Sequence, residues 1–139
     1  LTQEAQVANF TQEGSQYLLT QAVEGGTIAA DQTWIGLATA APSNTTTLAT
    51  VTEHTTSGGY ARKNVTSANW SVSAAGVASM SAAVTWGTSI TLTNATHWFL
   101  CTVASGTAGK IICYGALSAT RSLTTADTMT EQITDIHIS

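Results

Sequence analysis

Charge is what this sequence has least of. Only 9% of its 139 residues are Asp, Glu, Lys or Arg, against roughly 25% in an ordinary globular domain. Its basic residues are Arg62, Lys63, Lys110 and Arg121, and the net charge is −4. Nucleic-acid binding needs clustered cations that displace counterions from phosphate. One adjacent pair, Arg62-Lys63, does not supply that, and nucleic acid is set aside as a partner. Long apolar runs are also missing. None approaches the ~18 residues of a spanning helix, so no membrane partner is expected. The beginning shows no basic n-region and no apolar h-region, and a mature chain that had lost a signal peptide would read the same way.

Catalytic groupings are equally scarce. The histidines His54, His97 and His137 lie in three separate segments, with no H-E-x-x-H or similar spacing. The Glu53-His54 neighbours read as a solvated pair, and His97 as a residue at a strand end. The acids are scattered, and Glu131 and Asp135 on one strand face read as edge charges that discourage strand addition. A glycosidase pair would need a cleft with its two carboxylates about 5 to 10 Å apart, and no phosphate-binding glycine loop is present. No catalytic residue, cofactor or metal site is expected. Five Asn-x-Ser/Thr triplets, beginning at Asn9, Asn44, Asn64, Asn69 and Asn94, arise readily in so Thr-rich a chain. They are not read as glycosylation.

What fills the gap is Thr, Ser, Ala and Gly. A chain of this length is one domain, and 43% hydrophobic residues is enough for a core. Thr favours strands, and weakly charged surfaces suit proteins that pack against copies of themselves.

Two strand-length apolar runs, Thr96 to Val103 and Lys110 to Leu117, flank a small-residue turn and read as a hairpin. A turn centred near Thr107 would set Cys101 opposite Cys113, Val103 opposite Ile111 and Phe99 opposite Gly115, all on one face. Both faces are apolar, so the hairpin needs cover on two sides. A facing Cys101–Cys113 pair could form a disulfide. The preferred reading is two small buried hydrophobes kept reduced.

Residues 1–26 read as an arm and helix, and 27–139 as the β domain. The spacing predicts a helix over 11–24, with Thr11 as N-cap and Gly25-Gly26 as the stop; Gly14 weakens it. Residues 1–8 read as an arm without a partner in its own domain. Trp34–Thr39 is a strand ended by Pro42, the one proline. Residues 43–58 read as an exposed Thr-rich loop, and Gly58-Gly59 as a turn. Val77–Trp86 reads as one strand with Met80, Ala82, Val84 and Trp86 on one face. Gly87 and Ser89 punctuate before Ile90–Leu92. Ser118–Thr125 reads as a polar connection, Ala126-Asp127 as a turn, and Met129–Ile138 as one edge strand. About seven or eight strands with turn signals between them indicate an all-β, antiparallel sandwich, jelly-roll-like, with a short N-terminal helix. Trp34, Trp86 and Trp98 are expected in the core, and Trp70 is the tryptophan expected to be exposed.

Several stretches together resemble a family of small tailed-phage virion proteins, tail-fibre or head-decoration. They are Phe10-Thr-Gln-Glu-Gly14 with Leu18-Leu19, Trp34-Ile-Gly-Leu-Ala-Thr-Ala-Ala-Pro42, Gly58-Gly-Tyr-Ala-Arg62, Val84-Thr-Trp-Gly87 with Thr96-His-Trp-Phe-Leu100, and Tyr114-Gly-Ala-Leu117 with Ala126-Asp127-Thr128. The resemblance implies a β-sandwich that assembles, commonly as homotrimers, on a phage particle. It also implies a place on the outer surface of the virion after synthesis in the bacterial cytoplasm, and it brings no catalytic residues.

The chain is short and lacks coiled-coil heptads or a fibre shaft. That favours a capsid decoration (cement) protein that binds the major capsid protein or other virion proteins and stabilises the shell. The alternative is a tail, fibre or baseplate component that touches host glycans. A reading of another class is a carbohydrate-binding module with an exposed Trp70. The candidate partner-binding residues are Phe10, Tyr17 and Leu18 of the N-terminal segment and Thr45, Thr46, Thr47 and Leu48 of the loop.

Overall fold

A computed structural model describes residues 8–26, 33–55, 58–86, 90–124, 129–131 and 137–138. In chain order the elements are β1 (Asn9–Phe10), α1 (Gln12–Val23), β2 (Thr33–Ala38), β3 (Lys63–Val65), β4 (Trp70–Val72), β5 (Ala78–Met80), β6 (Val84–Trp86), β7 (Leu92–Cys101), β8 (Ile111–Leu123), β9 (Met129–Glu131) and β10 (His137–Ile138). A five-stranded sheet has the order β1-β8-β7-β2-β3, a three-stranded sheet β10-β5-β4, and β6 pairs with β9. All the pairings are antiparallel. The fold is thus an antiparallel β-sandwich with one short helix.

The β7–β8 hairpin is central, and its two apolar faces build two cores. On one face Trp98, Leu100, Cys113 and Leu117 join Ile35 and Leu37 of β2, Met80 of β5, and Val84 and Trp86 of β6. On the other, Phe99, Cys101 and Ile111 pack with Ala38 and Leu48, and with the half-buried Trp34, Val51 and Tyr114. Trp98 lies across its cross-strand partner Gly115, where a Cβ would stand 2.7 Å from the indole Cζ2. A side chain at 115 would force the ring off its seat.

The hairpin register differs from the expected one. Leu100 pairs with Cys113 and Cys101 with Ile111, leaving Ile112 as an extra residue. This β-bulge re-aims the strand. Cys101 and Cys113 therefore do not face each other; each is a free, buried thiol in a different core.

The hairpin arms also run longer than expected. Ser118–Leu123 continues β8, with Ala95 opposite Arg121 and Leu92 opposite Leu123. Ile90–Leu92 leads directly into β7. Val77–Trp86 is two strands rather than one, because the chain bends at Ser81-Ala82. Met80, Val84 and Trp86 remain buried as expected, but β5 and β6 belong to different sheets. The expected final strand is represented by β9, paired with β6, and β10, the edge partner of β5. The expected unpartnered arm over 1–8 fails at Ala8, which is buried in the main core; residues 1–7, the punctuation at 87–89, the Ala126-Asp127 turn and residues 132–136 lie outside the described residues.

Helix α1 begins where Thr11 caps it. The Thr11 hydroxyl accepts from Gly14 N–H at 2.9 Å and donates to the Ile111 carbonyl, and Thr11 N–H donates to the Ile112 carbonyl at 3.2 Å. The cap therefore joins the helix to the bulge. Gly14 is the point of closest approach: a Cβ there would stand 2.1 Å from the Ile112 carbonyl oxygen. The residue that weakens the helix by propensity is the one that lets it dock.

Candidate functional site

Gly14, Tyr17 and Leu18, at i, i+3 and i+4, form the inner face of α1. Gly14 is buried, while Tyr17 and Leu18 pack half-buried against the main core, as does Phe10 of β1. These three expected partner-binding residues thus have their main contacts inside the chain. The helix turns Gln12, Gln16, Leu19 and Val23 outward instead. Leu19 is 63% and Val23 78% exposed, on the same side of the helix as Gln12, Gln16 and Glu24. Leu18-Leu19 is an adjacent pair, so only one can face inward. Gly14 four residues before Leu18 is the signal that could have told them apart.

The threonine loop meets this helix. Gln12 N–H donates to the Asn44 carbonyl at 2.7 Å. Between them is a hollow of about 150 Å³ lined by Gln12, Glu13, Gln16 and residues 44–47. Sequence reasoning treated the loop and the helix as separate contact elements; the fold places Thr45, Thr46 and Thr47 beside the helix start. Hydroxyl-to-backbone bonds hold the loop in shape, Ser43 N–H to Thr46 Oγ1 at 2.7 Å and Thr47 N–H to Thr50 Oγ1 at 3.0 Å. Leu48 is buried in the second core and anchors the loop from beneath. Glu13 fastens the other side: its carboxylate accepts from Ile111 N–H at 2.8 Å and lies 3.6 Å from Lys110 Nζ.

A polar cluster sits under the tip of the β7–β8 hairpin. Glu53 is not a solvated neighbour of His54. Its carboxylate takes Arg62 Nε at 2.8 Å and Nη2 at 2.6 Å, and the Tyr60 hydroxyl at 3.1 Å. Arg62 is buried, and it also donates to the carbonyls of Val103 and Gly106. Burial is the largest single influence and opposes its charge, but the Glu53 hydrogen bond together with the neighbouring Cys101, Glu53 and Tyr60 groups outweighs it and holds the Arg62 pKa above the ordinary value. Burial first, and the Glu53 charge second, push the Tyr60 phenol upward. The Tyr60 oxygen accepts from Leu37 N–H at 2.7 Å, serving β2 beyond the last residue paired with β3. The expected Gly-Gly-Tyr-Ala-Arg turn is thus the arm of a clamp.

His54 is a structural crosslink. Its Nε2 accepts from Thr93 N–H at 3.0 Å, and Nδ1 bonds the Thr55 carbonyl at 3.0 Å. His97 contacts the Thr96 hydroxyl at 2.8 Å, and burial lowers its pKa. Among the described residues no group of three His, Cys, Asp or Glu could hold a metal. No described helix is long and apolar enough to cross a membrane. Trp86 and Trp98 are fully buried, and Trp34 and Trp70 pack half-buried against the two cores. Trp70 does not stand exposed as expected.

A protein-family model described as podophage GP4 fiber I protein gp80 matches residues 9–139. The chain belongs to this fibre family. No curated protein matches it. As a member, the fibre-family chain is a phage structural protein and a component of the virion. The family description names a fibre, so the tail-fibre alternative is better supported than the capsid-decoration reading. The match begins at Asn9, at β1, and takes in α1, the threonine loop, the Glu53–Arg62 clamp and the central hairpin.

Proposed function

We propose that this chain is a subunit of a podophage tail fibre, on the outer surface of the particle, that assembles with copies of itself, as a trimer, and with neighbouring virion proteins. The family match over almost the whole chain carries this reading. The contact surface we assign is the outer face of α1, with Gln12, Gln16, Leu19 and Val23, together with Thr45, Thr46 and Thr47. Burying two aliphatic side chains that solvent now covers would drive the contact, and the Gln and Thr groups would give it direction. Phe10, Tyr17, Leu18 and Leu48 support that surface from below.

Particles labelled with an antibody against the chain test the location. Label on the tail is the expected result, and label over the head shell would restore decoration. Light scattering of the purified chain tests the assembly: a trimer is expected at micromolar concentration, and a monomer at every concentration would sink that part.

A further inference from the structure

Strand β4 ends the three-stranded sheet, with β5 on one side and no described strand on the other. The phase of its ladder decides which backbone groups are spare. Ser81 N–H donates to the Asn69 carbonyl at 2.7 Å, and Ser73 N–H to the Val77 carbonyl at 2.8 Å. Ser71 lies opposite Ser79. Residues 69, 71 and 73 thus turn their main chain toward β5, and alternation turns that of Trp70 and Val72 away. The Trp70 N–H is taken by the Ser67 carbonyl. The Trp70 carbonyl and both main-chain groups of Val72 then face outward, where no described strand meets them.

A spare row of alternating acceptor and donor specifies its own occupant, an extended backbone. Natural edges usually block such pairing with Lys, Pro, a bulge or an inward charge. The β3 edge opens with Lys63. The β4 edge has no such guard. No Asp, Glu, Lys or Arg occurs between Lys63 and Lys110, and no proline follows Pro42. Residues 71–76 are all exposed, and Val72 is 72% exposed.

We propose that β4 pairs edge to edge with β4 of a second copy, antiparallel about a two-fold axis at Val72. Val72 N–H and C=O would bond their own counterparts, which is the self-complementarity an isologous contact requires. The chain carries −4 overall, so copies repel in general. This edge is a place where neither copy brings charge. The contact is separate from the α1 surface and does not depend on the fibre reading.

Hydrogen exchange on the full chain at rising concentration is the direct test. The Val72 amide should slow at least about tenfold as the dimer forms, while the exposed Ala74-Ala75-Gly76 turn changes less. Val72→Pro removes an outward donor and no bond to β5, a position edge strands tolerate. It should keep the native circular dichroism spectrum and the trimer expected above, and lose by light scattering only the further step in which β4 joins two such assemblies. Leu19→Glu/Val23→Glu should leave Val72 protection intact, which separates this contact from the helix surface. A Val72 amide that exchanges at the same rate at every concentration overturns the proposal, whether or not Val72→Pro folds. Equal association of wild type and a folded Val72→Pro also overturns it.

Discussion

The Arg62 guanidinium meets the Glu53 carboxylate at two points and, with its remaining donors, holds the Val103 and Gly106 carbonyls. One side chain thus joins the loop that precedes the Gly-Gly turn to the tip of the central hairpin. Its face also lies 5.6 Å from the centroid of Phe99.

Arg62→Ala should therefore cost roughly 3 kcal/mol, the lower end for breaking a buried pair, because Glu53 retains some solvent. Arg62→Lys keeps the charge but cannot reproduce the fork, and should fall between. Urea unfolding midpoints check both. Equal stability of Arg62→Lys and wild type would deny the two-point geometry its role.

Tyr60→Phe removes the acceptor for Leu37 N–H and a donor to Glu53. A loss of about 1–3 kcal/mol is expected for the orphaned buried donor. Amide exchange should show the largest local change at Leu37, and a change confined to the 43–50 loop would contradict this assignment.

Gly14→Ala raises helix propensity in isolation, yet here it should destabilise. The added methyl meets the Ile112 backbone, which cannot swing aside as a side chain could, and overpacking of this kind costs about 1–3 kcal/mol. Thr11→Ala should cost about 1–2 kcal/mol through the lost cap. A thermal melt in which Gly14→Ala stabilises the chain would mean that α1 is not seated on the bulge.

Alkali should weaken the fold. Burial pushes the Cys101 thiol up from 9.0 to about 11 and the Cys113 thiol up from 9.0 to about 12. Below pH 9 both states keep the protons and stability is unaffected. Between pH 9 and 11 the unfolded chain ionises and the folded one does not, so stability falls with rising pH. Tyr60, raised by burial, acts in the same direction at higher pH. Urea midpoints at pH 7, 9 and 10.5 should decline across the last interval, and Cys113→Val should make the decline shallower.

Much of the fold was legible in the sequence, and the misses share a cause. Turn residues and alternation located β2, the central hairpin and the Thr11 cap, because each rests on neighbours in the chain. The hairpin register was missed by one residue from Trp98 to Leu100 and by two at Cys101, beyond the bulge. Register is specified when one face is apolar and the other polar, and here Phe99 and Trp98 both need burial, so either alignment satisfied the pattern. Ser118–Leu123 was missed as strand because its hold is the backbone ladder to β7, which polar side chains do not advertise. The Gly-Gly-Tyr-Ala-Arg stretch stood out, but its partner Glu53 did not, since an ion pair across a loop leaves no periodic trace. Leu19 and Val23 could have been separated from Leu18 by taking Gly14 as the contact point.

The extra residue at Ile112 has a consequence beyond packing. By turning Cys101 into one core and Cys113 into the other, it leaves this chain with no crosslink to gain or lose. Its fold is the same object in reducing and in oxidising surroundings. A protein made inside a cell and carried outside it would pass between the two without a covalent change.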